Sequence, residues 1–404
     1  MNILISFFLG IFSGLLGHMV IPETYVHEVS TYAKLPGSIF LGILQLSVFF
    51  LLFPSLSLAI ITSEQDAKLR KLSFVTFGYY IFTTLVVVIL GILVFSTLSS
   101  FYPIDLAKSL TSGITESVSA VKSEPMKSIP EIITGLFPSN PIRIISQNEM
   151  LSLVIFSIMF GFAIKNLNKS SQDSVEDFME IILKVSYQFI SWAIYIAPVG
   201  VFCLSFSSAV SLGTSILSNL SFYLAAIFTG FSSILIFYFF LIYFLCRYNP
   251  FQFLQKIKSV LFFAFSTSSS GATLPLTIQT VEENLKIPSN ITRFVLPIGA
   301  TINMDGTAMF QIIATLFLAK LYGITFSVLQ LITLAFTVVG ISIGTAAAPG
   351  VGIILLAAIL GFYGIPTEGI AIIIGVDRFL DMCRTTINVL GDMIACTWIA
   401  RKFT

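Results

Sequence analysis

Six apolar runs, near residues 2–21, 37–62, 72–99, 150–165, 178–209 and 218–246, restrict this chain more than any other feature. The hydrocarbon core of a bilayer takes about 20 apolar residues in a helix, and of the six only 150–165 falls short. Lipid offers no water to a bare N–H or C=O, so each run is expected to be a helix. Hydrophobic residues make up 56% of the 404, mean hydropathy is +0.97, and Phe occurs 40 times. That composition lies outside the globular range and indicates an integral membrane protein surrounded by a lipid bilayer. The 21 Lys and Arg nearly cancel the 20 Asp and Glu, leaving +1, which supplies no basic field for nucleic acid.

Between the third and fourth runs, residues 100–148 are rich in Ser, Pro, Lys and Glu and read as a solvent-exposed connection. Basic residues follow the second run (Lys68, Arg70, Lys71), the fourth (Lys165, Lys169) and the sixth (Arg247, Lys256, Lys258), and recur at Arg401 and Lys402. The positive-inside rule puts these in the cytoplasm, with both termini. The N-terminal stretch lacks a basic region and a small-residue cleavage site, so it reads as a first helix and not a signal peptide. Cys203, Cys246, Cys383 and Cys396 lack metal-ligand spacing and read as packed thiols.

After residue 250 the apolar segments shorten and are interrupted. Phe265–Thr277 carries FSTSSSGATLPLT between two short arms; a span near 292–320 is broken by Asn303-Met304-Asp305-Gly306-Thr307; SIGTAAAPGVG (Ser342–Gly352) sits at the middle of 328–362; and a last helix runs over about 367–400. The order is hairpin, helix, hairpin, helix. Interrupted segments in corresponding positions of two halves point to an inverted-repeat transporter with its site near the midplane.

The last helix contains DRFLDMCRTTINVLGD (Asp377–Asp392), with five formal charges in sixteen residues of a chain only 10% charged. At about 100° per residue, Asp377, Asp381, Arg384, Asn388 and Asp392 share a sector roughly 80° wide, and Arg378 points elsewhere. Each charge at mid-bilayer is unfavourable by about 2.5 to 3.5 kcal/mol even on the lenient scale, so the stripe must face partners, water or a ligand. Arg384 has the planar fork that grips a carboxylate, and Asp381 one turn earlier suits an ammonium group. Together they would read an amino acid with an acidic side chain, or form an i,i+3 ion pair of structural value only. Ser268, Ser269, Ser270 and Gly271 would cap the second arm of the first hairpin and present free N–H groups to a carboxylate, or make an ordinary turn. In the broken span Gly306 favours unwinding, and freed carbonyls with Asn303 and Asp305 suit a hard cation such as Na⁺. A hydrogen-bonded kink is the alternative. Asn388 and Asp392 could complete a cation site with Asn303.

Taken together, NMDGT and D-x-x-x-D-x-x-R-T-x-x-N-V-x-G-D resemble the glutamate transporter family, the dicarboxylate/amino acid:cation symporters that include archaeal aspartate transporters and excitatory amino acid transporters. The resemblance runs in segment order along the whole chain. It implies an all-α polytopic fold of eight transmembrane helices plus two re-entrant helical hairpins, assembled as a homotrimer in the cell membrane. It places scaffold helices in 1–70, a third, transporting helix in 71–99, an extracellular loop and scaffold helices four and five in 100–213, and the rest of the transport part in 214–404. Acidic substrate (L-glutamate or L-aspartate) would contact Ser269, Ser270, Thr307, Ala348, Gly350, Gly352, Asp381, Arg384, Thr385 and Asn388. One Na⁺ site would use Gly299, Asn303, Asn388 and Asp392; a second Thr301, Ser342, Ile343 and Thr345; a third Tyr80, Thr83, Thr84, Asn303 and Asp305. Every oxygen-bearing side chain of these sets is present, which favours Na⁺ over H⁺ as the coupling ion.

Keeping both Asp381 and Arg384 argues against the dicarboxylate and neutral amino acid branches. A further arginine, which archaeal relatives carry where Ser268 stands and excitatory carriers where Met382 stands, is absent, and Arg378 is the nearest cation. That departure leaves the charge balance of the returning empty carrier, including K⁺ countertransport, open. The transport step would be an elevator-like alternation. Alternatives from other classes are weak. A serine intramembrane protease needs a base, and His18 and His27 are poorly placed for one; an Asp305–Asp381 dyad would have Arg384 beside it, which works against a shared proton; a passive channel needs no amino acid reader.

Overall fold

The computed structural model describes residues 3–61, 67–101, 140, 150–213, 215–343 and 351–403, and the described residues form helices joined by short turns and coil, with no strand among them. Three long helices come first: α1 (Ile3–Val20), α2 (Glu23–Ile61) and α3 (Ala67–Phe101). They are followed by α4 (Met150–Lys165), α5 (Lys169–Leu212) and α6 (Ser215–Phe244). Seven more helices alternate as pairs and spans: α7 (Pro250–Thr267), α8 (Ser270–Asn284), α9 (Ser289–Ile302), α10 (Asp305–Leu321), α11 (Val328–Ile343), α12 (Val351–Phe362) and α13 (Ile370–Phe403). The connection read at 100–148, except Asn140 and the helical ends, lies outside the described residues, as do Gly344–Gly350 of the second tip.

Local chemistry sets the boundaries. Asn168 caps α5 by accepting from Ser171 N–H at 2.9 Å, and Asn249 caps α7 by accepting from Phe251 N–H at 3.0 Å, with Pro250 at the first helical position. The break between α7 and α8 is Ser268, left-handed at φ 51°, followed by extended Ser269, whose Oγ accepts from Ala272 N–H at 3.2 Å. Three helical stretches among the described residues are long and apolar enough to cross a bilayer: Lys71–Phe101, Ser218–Phe244 and Ser289–Leu321. Taken together, the two arms of α5, Lys169–Ala193 and Tyr195–Val210, are also long and apolar enough, and they meet at a bend of 50°. Pro198 accounts for the bend, since it lacks the N–H that residue 194 would accept and its ring crowds that carbonyl. The apolar cores of α1, α4, α11 and α12 are shorter. Spans read at 37–62 and 178–209 prove to be parts of longer helices whose polar ends continue the hydrogen-bond ladder.

Packing falls into two sets. The closest association is of α5 with α2 and α1, and of α2 with α4. A second set surrounds α13, which touches α7, α8, α9, α10 and α6, while α3 packs on α10 and α6. Contacts between the sets run through α1 and α5 against α13, α2 against α12, and α4 against α11. Gly375 of α13 takes the Phe7 ring of α1 against its Cα, where any Cβ would collide.

Candidate functional site

The helix breaks at Asn303, which is extended, and Met304 (φ −121°, ψ 44°), leaving α9 and α10 end to end. Ser289–Leu321 is buried inside the protein over its apolar length, so its interrupted backbone meets protein and not lipid. Gly306 does not unwind the chain, contrary to expectation. It sits in the first turn of α10, where a Cβ would lie 2.7 Å from the Arg384 carbonyl oxygen and 3.0 Å from its Cα. Its missing side chain lets α10 and α13 approach.

Arg384 is only 1% exposed. Its Nη2 donates to Asp381 Oδ1 at 2.8 Å, its Nη1 lies 2.9 Å from Asp377 Oδ1, and its guanidinium rests 4.0 Å above the Phe310 ring. The Asp377 contact has ion-pair distance without hydrogen-bond alignment, so Nη1 and Nε both keep buried N–H groups that find no hydrogen-bond acceptor among the described residues. Arg378 reaches Asp381 Oδ2 at 4.0 Å along its own helix, not a neighbouring element. A Cβ on Gly352, at the start of α12, would come within 2.9 Å of Arg384 Nη1. The expected pair Asp381 and Arg384 is therefore an ion pair that still has donors to offer, on a wall made by Gly352 and Phe310.

One turn on, Asn388 links this cluster to α10. Its Oδ1 accepts from Gly306 N–H at 2.8 Å, and its Nδ2 lies 3.4 Å from Thr307 Oγ1 and 3.2 Å from Met304 Sδ. Thr385 is buried beside them. Ser269 and Ser270 stand at the start of α8, which packs on α13, with Ser270 buried and Ser269 partly so. Ala348 and Gly350 lie outside the described residues.

Two of the three cation sets come together. Asn303 Nδ2 donates to Asp392 Oδ1 at 2.9 Å and to the Asn388 carbonyl at 3.1 Å, while Asn303 Oδ1 is buried without a hydrogen-bond partner among the described residues. A Cβ on Gly299 would lie 2.6 Å from Asp392 Oδ1 and 2.5 Å from the Tyr80 hydroxyl. The Asn303 amide oxygen, the Asp392 carboxylate and the Asn388 carbonyl, drawn together by the Asn303 hydrogen bonds, are a donor set that suits an alkali cation, which prefers oxygen and needs one negative charge. In the other set, Thr84 Oγ1 donates to Asp305 Oδ1 and Tyr238 OH to Asp305 Oδ2, both at 2.7 Å, and Thr83 Oγ1 donates to the Tyr80 carbonyl at 3.1 Å. Neither Asp305 nor Asp392 has a cationic partner among the described residues.

The remaining set does not converge among the described residues. Thr301 is exposed and donates to its own helix, at the Ile298 carbonyl, and buried Ser342 donates to the Val338 carbonyl at 2.6 Å. Ile343 ends α11, and Thr345 lies outside the described residues. Sequence reasoning missed Phe310 and Tyr238 and gave Asp377 no role. Asp377 could have been found on the stripe, two turns before Arg384; Phe310 stands one turn after Thr307; nothing in the sequence marks Tyr238.

Comparison of the sequence with known proteins identifies the family. A family model described as the sodium:dicarboxylate symporter family matches residues 1–402. The chain belongs to that family. It is similar to the proton/sodium-glutamate symport protein of Bacillus subtilis (strain 168), 30% identical over 92% of this chain and 86% of the relative. Similarity to the proton/glutamate-aspartate symporter of Escherichia coli (strain K12) is 31% over 90% and 84%. Human excitatory amino acid transporter 3 is 29% identical over 89% and 77%. Family membership with several long apolar helices makes the protein a multi-pass membrane transporter.

Proposed function

We propose that the protein is a secondary active transporter that carries an acidic amino acid, L-glutamate or L-aspartate, together with Na⁺. The observation that carries this reading is a division of charge across one buried site. On one side Arg384 keeps N–H donors that no described residue accepts, beside Asp381; on the other Asp305 and Asp392 are buried with no cationic partner among the described residues. A buried unpaired carboxylate is strongly unfavourable, so entry of cations at Asp305 and Asp392 and entry of an anion at Arg384 favour one another. Asn388, which touches Gly306, Thr307 and the Asn303 side of the site, ties the two events together. The substrate side chain would take the guanidinium donors, its ammonium would face Asp381, and its main-chain carboxylate would meet the start of α8 at Ser269 and Ser270. Ala348, Gly350 and Gly352 would close the site from the second tip, and Thr301, Ser342, Ile343 and Thr345 would hold a further ion once that tip closes.

The names of the relatives, glutamate and glutamate-aspartate symporters, support the substrate class. In this reading the protein has eight spans and two re-entrant pairs, α7–α8 and α11–α12. It assembles as a homotrimer in the cell membrane with both termini cytoplasmic. The set α1, α2, α4 and α5 serves as scaffold, and the remainder moves as an elevator. Purified protein in liposomes is expected to accumulate labelled glutamate or aspartate only with an inward Na⁺ gradient. Uptake driven by a proton gradient alone, without Na⁺, would replace Na⁺ by H⁺ in this reading, and absence of uptake with either gradient would refute symport of these substrates.

A further inference from the structure

A crevice of about 370 Å³ lies between the C-terminal ends of α6 and α13, far along α13 from the Arg384 cluster, and is lined by Phe244, Leu245, Arg247, Trp398, Arg401 and Lys402. Three of the six are cations, and none of the three forms an ion pair among the described residues. Trp398 forms a fixed wall, stacked on Tyr79 with ring centres 5.2 Å apart and carrying Lys402 Nζ 5.2 Å from its own ring centre. Arg401 spends one N–H on the Cys246 carbonyl at 2.5 Å, which ties the two helix ends together and leaves the rest of its fork to the crevice. Arg247 is held left-handed at φ 53°, an unfavourable conformation for an arginine. Satisfying helix-end carbonyls needs one of these cations, not three.

The apolar side of the crevice continues onto Phe240, Tyr243 and Phe244 of α6, each more than half exposed on a helix long enough to span. Such aromatic residues at a span's end mark the membrane interface. We propose that this crevice binds the phosphate of an anionic phospholipid, the headgroup against Arg247, Arg401 and Lys402 and the acyl chains along the α6 aromatics. A soluble phosphate shares the headgroup chemistry but makes no use of the exposed aromatic flank.

The chain has two tryptophans, Trp192 and Trp398, so Trp192→Phe leaves Trp398 as a reporter. In vesicles, acyl-brominated phosphatidylglycerol is expected to quench Trp398 with an association constant about five-fold above that of brominated phosphatidylcholine, the preference one engaged surface cation confers. The double variant Arg247→Gln/Lys402→Gln, which keeps the Arg401 tie, is expected to lose that preference while quenching by phosphatidylcholine stays unchanged. Equal quenching by the two lipids, or a preference that survives the double variant, would overturn the proposal. Saturable effects of inorganic phosphate on Trp398 without any lipid preference would assign the crevice to a soluble anion and overturn the lipid assignment.

Discussion

Arg384 is held on three sides, by Asp377, Asp381 and the Phe310 ring, and still has N–H groups to give. Lysine would keep the charge and lose the planar fork, the ring stacking and one of the two acidic contacts. Arg384→Lys is therefore expected to weaken acidic substrate by about ten- to a hundred-fold, the value of one or two charge-assisted hydrogen bonds, with folding retained. Substrate-dependent thermal stabilisation of the purified variant measures this, and unchanged affinity would remove Arg384 from the site. Gly299 offers a separable test on the cation side. A methyl there would press on Asp392 Oδ1 and the Tyr80 hydroxyl and so displace the carboxylate that a cation at Asn303 Oδ1 would need. Gly299→Ala is expected to raise the Na⁺ concentration needed for half-maximal uptake at least about ten-fold, with a smaller change in substrate KM at saturating Na⁺. A variant that changes the substrate KM alone would contradict the assignment of Asp392 to an ion.

At the scale of elements, the join between α10 and α13 decides whether these residues meet. Gly306 has an ordinary helical backbone, so alanine suits its conformation and would slightly favour the helix. Its cost is steric: a Cβ would press on the Arg384 carbonyl and Cα, which as backbone cannot rotate away. Gly306→Ala is expected to destabilise by about 1 to 3 kcal/mol, the usual effect of overpacking, and to lower the apparent Tm in detergent; an unchanged Tm would show that the two helices separate freely. This glycine also marks the boundary of what was legible. The polar stripe, the broken span and the pairing of Asp381 with Arg384 could be read from spacing, because helical periodicity fixes which side chains share a face. The role of Gly306 could not, because a glycine read alone suggests flexibility, and only the neighbouring backbone reveals a close approach. Tyr238 was hidden for a similar reason: it lies on α6, far from every motif, and only tertiary packing brings its hydroxyl to Asp305. Arg378 points off the stripe, as its spacing implies, and only the structure shows that its long side chain still comes within 4.0 Å of Asp381.

For the whole molecule, the proposed motion requires the set built on α1, α2, α4 and α5 to slide against the set around α13. The seam is narrow enough to test by linking it. Phe7 of α1 lies on Gly375 of α13 across the seam, whereas Ser30 of α2 and Ser207 of α5 hold their hydroxyls 2.8 Å apart within one set. In a background with Cys203, Cys246, Cys383 and Cys396 replaced, a mercury bridge in Phe7→Cys/Gly375→Cys would hold α1 to α13, and one in Ser30→Cys/Ser207→Cys would only tighten the scaffold. The first bridge is expected to abolish Na⁺-driven uptake, reversibly on adding thiol, while the second leaves most of it. Substrate should still protect the first variant from thermal denaturation, because the side chains proposed to bind it belong to α8, α10 and α13 and stay together when the seam is fixed. If the bridged Phe7/Gly375 variant transports at the unbridged rate, this seam does not slide, and access to the site must change by movement of the helix tips alone.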